Sequence, residues 1–373
     1  MTAPGGAAGE PREPRRREGA QLRVLPLAGL HLQLGCRPTP AHGWSMPLWY
    51  EGALDEQEQT RRAAGVFDRS HLGRFYVTGE RAGAVLGRVL ASDPARMAVG
   101  AVQRAVACQD GGTILDLVTL GRLDDQRWLV VTGPRHGDRL LAAVAAEAAG
   151  AAVEVHDRRM ATALVSLQGP AAAEIFGKVF GASLRDGIAR ERCRELLLGL
   201  HRAAILRTSA MGEDGFWLLI RPDDGAELWR AFVAAGAVSA GLQAHDALRL
   251  EAAVLEAPAE TPPPVTPQAA GLGSLVELDG RAFRGAEALR AAGPPPRLLT
   301  GLWLEGPRLA RAGARISIEG ADVGACVAGG YSPALGAAIA LAYLPPGAQR
   351  VEVDAGGQHA AATVVPLPFV ALR

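Results

Sequence analysis

Two short apolar runs flank a polar turn in the segment QRAVACQDGGTILDLVTL (103–120), and in the second, from Thr113 to Leu120, the one charged residue is Asp116. The β-branched and aliphatic residues there predict a buried strand. Asp110, Gly111 and Gly112 supply the turn of a hairpin, because glycine accepts the positive φ that a tight turn demands. Ile114, Asp116, Val118 and Leu120 then share one face and Leu115 and Leu117 the other, so a carboxylate stands among residues that avoid water. An ionised, unpaired carboxylate there costs several kcal/mol unless it has a partner, a proton or a wet cavity. A strand facing solvent explains Asp116 equally well on this segment alone.

The same pattern repeats along the chain. Helical periodicity marks 54–64, 81–90, 136–149, 171–179, 223–235 and 246–255, and short apolar runs mark strands near 75–77, 127–131, 153–155, 163–167, 203–206 and 216–220. GEDGFWLLI is a second hairpin around the turn 212–215. The HGWSMPLWY loop (42–50) crowds Trp44, Met46, Trp49 and Tyr50 into a core plug. TPPPVTP (261–267) reads as a rigid extended connector, since proline removes backbone donors and fixes φ. After Leu298, short strands separated by glycines predict an all-β barrel or sandwich. The expected organisation is α+β: a disordered tail over 1–21, a first α+β unit over 22–160, a second over 161–290 and a β-domain over 291–373.

Composition narrows the class. Of 373 residues, 49% are hydrophobic and 21% charged, as in globular proteins, and 39 basic residues balance 39 acidic ones, so no net field recruits nucleic acid or an anionic membrane. No apolar run reaches membrane-spanning length, and the basic run 12–17 is a poor export signal, so a cytoplasmic location is expected. Four cysteines at 36, 108, 193 and 326 lack paired spacing and read as buried thiols. No histidine pair has metal-ligand spacing, so no metal is expected. The alanine-, arginine- and proline-rich composition suits a high-GC bacterial genome.

Nine segments in order resemble the aminomethyltransferase family, the T-proteins of the glycine cleavage system: GWSMPLWY (43–50), GVFDRSHLGRFYVTG (65–79), GGTILDL (111–117), LQGP (167–170), GEDGF (212–216), LRLEA (248–252), AGLG (270–273), FRG (283–285) and GYSPALG (330–336). The resemblance covers nearly everything after about residue 25. It implies a three-domain cloverleaf with a C-terminal barrel, tetrahydrofolate in a central hole, and one-carbon transfer steered by an aspartate on the hairpin strand. Asp116 matches that catalytic carboxylate, although the aspartate that usually precedes it is Leu115 here.

The resemblance also assigns a cofactor lining, at Leu72, Arg104, Val118, Val130, Thr132, Ala210, Trp217 and His245, and several of these positions depart from the family pattern. The tyrosine before GEDGF is Ala210, and the glutamate after it, which anchors the pterin, is Trp217. The arginine of GARD is His245, YS is Arg104–Ala105, VVNAAN is VVTGPR (130–135), and the arginine of PFYR is lost. An indole donates but cannot accept, so it does not replace a carboxylate worth about 2–3 kcal/mol. The expectation is a folate-dependent transferase with an altered small-molecule pocket. The alternatives are folate-independent acid/base chemistry at Asp116 and a non-catalytic folate-binding or regulatory protein. The altered lining argues against a complex with a lipoyl carrier protein. His71 reads as a loop histidine bonding backbone, Arg249 as an ion-pair residue for Glu251 or another carboxylate, and Trp217 as core filling or a stacking platform.

Overall fold

The structure, a computed structural model, describes residues 21–371 apart from 199–200, 258–259 and 263. The tail expected at the N-terminus lies almost wholly outside the described residues, as does part of the proline connector.

Two larger sheets and a barrel carry the chain. A five-stranded sheet has the order Val102–Cys108, Ile114–Asp124, Arg127–Val131, Arg74–Thr78, Glu154–Asp157. Helices Ala82–Val89 and Gly137–Ala148 turn Val85, Leu86, Leu140 and Val144 onto one of its faces, against Phe75, Val118, Leu120 and Trp128. Buried residues recur at three and four along the first helix (Ala82, Val85, Leu86, Val89) and at four along the second (Leu140, Val144, Ala148), giving each helix one apolar stripe.

A six-stranded sheet follows the order Arg192–Leu198, His201–Arg207, Gly215–Ile220, Ala163–Gln168, Gly65–Asp68, Val238–Ser239. Its strand Gly65–Asp68 comes from the first part of the chain and pairs antiparallel with Ala163–Gln168, Val66 opposite Leu167 and Asp68 opposite Val165. Helices Ala172–Phe180 and Pro222–Ala234 cover this sheet, with Phe176 stacked on Phe216 at 4.1 Å between ring centres. From Leu298 the predicted β-domain is a closed barrel of six strands. The α+β class with a C-terminal barrel is therefore as expected.

Where the sequence suggests only a loop and a core plug, a three-stranded sheet forms from Arg23–Val24, Trp44–Trp49 and Arg37–Ala41. Pro38 and Pro40 mask it in the sequence, and they are tolerated because their strand lies at the edge. Trp44 and Met46 are buried against Leu25 as expected of a plug.

The units are joined by buried polar contacts as well as apolar ones. Glu251, at the end of helix Leu242–Glu251, accepts hydrogen bonds from Gln57 Nε2 (2.9 Å), Arg61 Nε (3.0 Å) and Ser332 Oγ (2.7 Å). One carboxylate thus ties helix Ala53–Arg62, helix Leu242–Glu251 and barrel strand Ala321–Ser332. Facing surfaces of the two larger sheets meet through Leu129, Val131, Leu206, Trp217 and Leu219.

Candidate functional site

Asp116 sits one residue past an irregularity in its strand. Ala107 pairs with Asp116 and Cys108 with Ile114, so Leu115 is an extra, bulged residue. The bulge breaks the expected alternation: Ile114 packs with Leu117 towards the barrel, while Leu115 joins Val118 and Leu120 in the core of the first sheet. Bulges re-aim side chains next to functional sites. Here the Leu115 carbonyl accepts a hydrogen bond from His136 Nδ1 (2.6 Å), and the Asp116 carboxyl turns towards the end of the neighbouring strand.

Asp116 Oδ1 accepts from the Leu117 amide (2.9 Å) and the Gly133 amide (3.1 Å), while Oδ2 has no partner and the residue is 0% exposed. Burial pushes its pKa up to about 7, the two amide hydrogen bonds opposing and the negative charge of Glu256 adding to the rise. Glu256 is the opposite case. Burial disfavours its charge, but Arg69 and Arg249 outweigh that and hold it ionised, with a pKa of about 2. Arg69 Nη2 donates directly to Glu256 Oε1.

Glu256 has no forerunner in the sequence reading, and the local backbone explains why it arrives here. The helix predicted to run to Leu255 ends at Glu251: Ala253 adopts φ +52°, its amide bonds the Leu250 carbonyl, and the Val254 amide bonds the Arg249 carbonyl. This pair of bonds is the left-handed helix stop usually made by glycine. With alanine in that place the stop leaves no sequence signal. It throws Val254–Ala257 across Gly133, where an added Cβ would stand 3.0 Å from the Ala257 carbonyl oxygen and 2.5 Å from Asp116 Oδ1.

Six of the expected lining residues, Leu72, Arg104, Val118, Thr132, Ala210 and Trp217, meet around one cavity, together with Gly133, Leu255 and Glu256. Its volume is about 50 Å³. Asp116 borders this cavity through Leu117 and Gly133, two of its lining residues, whose amides hold Oδ1. Arg104 donates to the Leu255 carbonyl (3.0 Å), and burial pulls its pKa down. Trp217 both packs in the inter-sheet core and lines the cavity, with its indole N–H unpartnered.

Val130 and His245 stand outside. Strand alternation gives the cavity Val131 and turns Val130 into the core beside Phe75 and Leu140. His245 is buried against Phe67, where its Nδ1 faces Arg69 Nη1 at 3.2 Å. Arg69 therefore separates it from Glu256. Arg249 pairs with Asp246 (3.0 Å) and Glu260 (2.8 Å) instead of Glu251. His71 makes no backbone bond: both ring nitrogens lack partners, and the ring stacks on His42 at 5.5 Å. Among the described residues no cluster of His, Cys, Asp or Glu has metal-binding geometry, and no helix is long and apolar enough to cross a membrane. The thiols of Cys108, Cys193 and Cys326 are each pushed by burial up to about 12.

An antiparallel sheet facing a mixed one, a closed barrel and a buried carboxyl beside the cavity fit the three-part cloverleaf that the sequence suggests, and similarity to known proteins gives the class, a transferase. Residues 27–280 match the family model of the GCVT N-terminal domain, and 297–371 that of the glycine cleavage T-protein C-terminal barrel domain. The chain is 36% identical over 364 residues to an aminomethyltransferase of Streptomyces coelicolor, covering 94% of this chain and 98% of that protein. It is 38% identical over 357 residues to one from Thermus thermophilus, covering 94% and 100%. The crystal structure of glycine cleavage system aminomethyltransferase T from Bartonella henselae superposes with a TM-score of 0.87 at 29% identity, over 94% of this chain and 98% of that one. The chain belongs to the aminomethyltransferase family, the glycine cleavage T-proteins.

Proposed function

We propose that this chain is a one-carbon transferase of the aminomethyltransferase type with a reshaped ligand pocket, in which Asp116 holds and exchanges a proton at the amine nitrogen engaged in the transfer. The observation that carries this reading is the Asp116 carboxyl: fully buried, anchored through Oδ1, unpartnered at Oδ2, and poised at about pH 7 beside an ionised glutamate. Protonated, Oδ2 donates to an amine lone pair; ionised, it accepts from an N–H. A group whose pKa matches the working pH serves both directions best, and two carboxylates driven apart in pKa divide the roles of proton carrier and fixed charge. Transfer of an aminomethyl-type carbon needs alignment and exclusion of water more than a nucleophile. Thiols held at about 12 offer none.

In this family the transfer uses tetrahydrofolate. The lining here does not fit a pterin held in the family's manner. Its volume of about 50 Å³ compares with roughly 300 Å³ or more for an ordinary small-molecule pocket, and Trp217 presents a donor where the pterin needs an acceptor. No step is therefore routed through folate. The same indole favours a second reading, folate-independent acid/base chemistry of Asp116 on another small molecule.

Calorimetric titration with tetrahydrofolate and 5,10-methylenetetrahydrofolate separates the readings. Micromolar binding by the wild type, with turnover abolished in Asp116→Ala, supports the transferase; binding with no dependence on Asp116 marks a folate-binding protein. Absence of binding, restored in Trp217→Glu, supports the second reading. The reshaped lining also predicts no stable complex with a lipoyl-bearing carrier protein, and size-exclusion co-elution with one would argue for a glycine-cleavage role.

A further inference from the structure

On the other side of Gly133 lies a larger cavity, of about 440 Å³, that the chemistry at Asp116 leaves unused. Arg23, Arg135, Arg159, His42 and His71 line it, and among the described residues the only acidic side chain in its wall is Asp138. That aspartate is already paired with Arg159, which also holds Asp157. Among the described residues Arg23 and Arg135 have no carboxylate partner, so the wall carries an excess of positive charge.

Three further features give the cavity the chemistry of an oxyanion site. The His71 ring is 2% exposed, and neither of its nitrogens has a partner. Burial, with the charge of Arg69 adding to it, holds the ring neutral, with one N–H to donate. His42, stacked on it, has its Nδ1 buried and unpartnered as well. Gly137 and Asp138, the first residues of a helix that runs to Ala148, form part of the wall, and the residue before them, His136, makes no side-chain cap. Open amides of a first helical turn favour negative charge. The close approach is built in: Thr132 Oγ1 lies where a Cβ on either Gly73 or Gly137 would stand, so the strand end and the helix start are packed together without side chains.

Arg135 belongs to VVTGPR, one of the segments in which this chain departs from its family's pattern. We propose that this cavity is a binding site for the oxyanion, carboxylate or phosphate, of a small molecule, gripped by Arg135 and Arg23 and by the His71 N–H against the helix start. Its volume is that of a small-molecule pocket. The site does not depend on the role given to Asp116.

The test is calorimetric titration of the full chain with inorganic phosphate and, separately, with acetate, at matched ionic strength, with histidine ring resonances followed by 15N NMR. Saturable binding of one equivalent is expected, with a shift of the His71 ring signals, and the stronger of the two anions identifies the oxyanion class. The double variant Arg23→Ser/Arg135→Ser should bind at least about tenfold more weakly, two charge-assisted hydrogen bonds being lost, with only a small fall in melting temperature, since among the described residues neither arginine has an ion-pair partner and Arg23 loses only its stacking over Trp44. No saturable binding of either anion, an unaltered affinity in the double variant, or His71 signals that do not respond would each overturn the proposal.

Discussion

Replacing Asp116 by asparagine removes one titrating proton and little else. The amide keeps Oδ1 as acceptor for the Leu117 and Gly133 amides at 2.9 and 3.1 Å, and Oδ2, which has no partner to lose, becomes an NH2 group. The wild-type carboxyl titrates at about 7 in the folded protein instead of the ordinary 3.8. A gap of about 3 pH units is worth about 4 kcal/mol. Its sign follows from proton counts: between pH 4 and 7 the native state retains a proton that the unfolded chain has released. Native stability therefore falls as pH rises through that window and levels off above it. The variant lacks this loss, so it should gain on the wild type by up to about 4 kcal/mol between pH 4 and pH 8, although its activity should be abolished. Infrared difference spectra of wild type minus Asp116→Asn should show a protonated-carboxyl band disappearing with a midpoint near pH 7. A midpoint below about pH 5, or a stability difference that does not change with pH, would refute the reasoning.

Three other substitutions follow from the same geometry. Ala253→Gly relieves a left-handed alanine at φ +52° and should raise stability by about 0.5–1 kcal/mol; an unchanged or lower melting temperature would count against the helix stop. Gly133→Ala places a methyl group 2.5 Å from Asp116 Oδ1 and should cost on the order of 1–3 kcal/mol. It should also shift the Asp116 infrared midpoint, and a midpoint left where it was would show that Gly133 does not set the carboxyl's position. Arg61→Ala strips the buried Glu251 of its guanidinium partner and should cost on the order of 3 kcal/mol in chemical denaturation; a loss under about 1 kcal/mol would mean that Gln57 and Ser332 suffice to hold the charge.

Much of the site is legible in the sequence because it rests on local rules. The turn at Asp110–Gly112 fixes the hairpin, and period two identifies a carboxylate out of place in an apolar strand. What escapes notice lies where one rule is overridden by another. The bulge at Leu115 comes from pairing with Val102–Cys108, so alternation within the one strand misassigns Ile114. The end of the helix at Glu251 depends on an alanine in a conformation that normally announces itself as glycine, so Glu256 looks like a residue just past a longer helix. His245 occupies a position that the family pattern assigns to the ligand, but Arg69 stands between it and Glu256. That interposition depends on two segments 176 residues apart.

The strand Gly65–Asp68 has a consequence for taking the protein apart. Its hydrogen-bond partners are Ala163–Gln168 on one side and Val238–Ser239 on the other, and Val66 and Phe67 are both buried. A fragment ending near residue 160 would carry this strand with both edges bare and its apolar side chains in water, an open template for pairing with other chains. A fragment beginning there would have a sheet missing one of its inner members. The two halves are therefore expected to be insoluble apart and to recover a fold only when expressed together, and a fusion or circular permutation intended to preserve this enzyme should open the chain within the barrel's exposed turns.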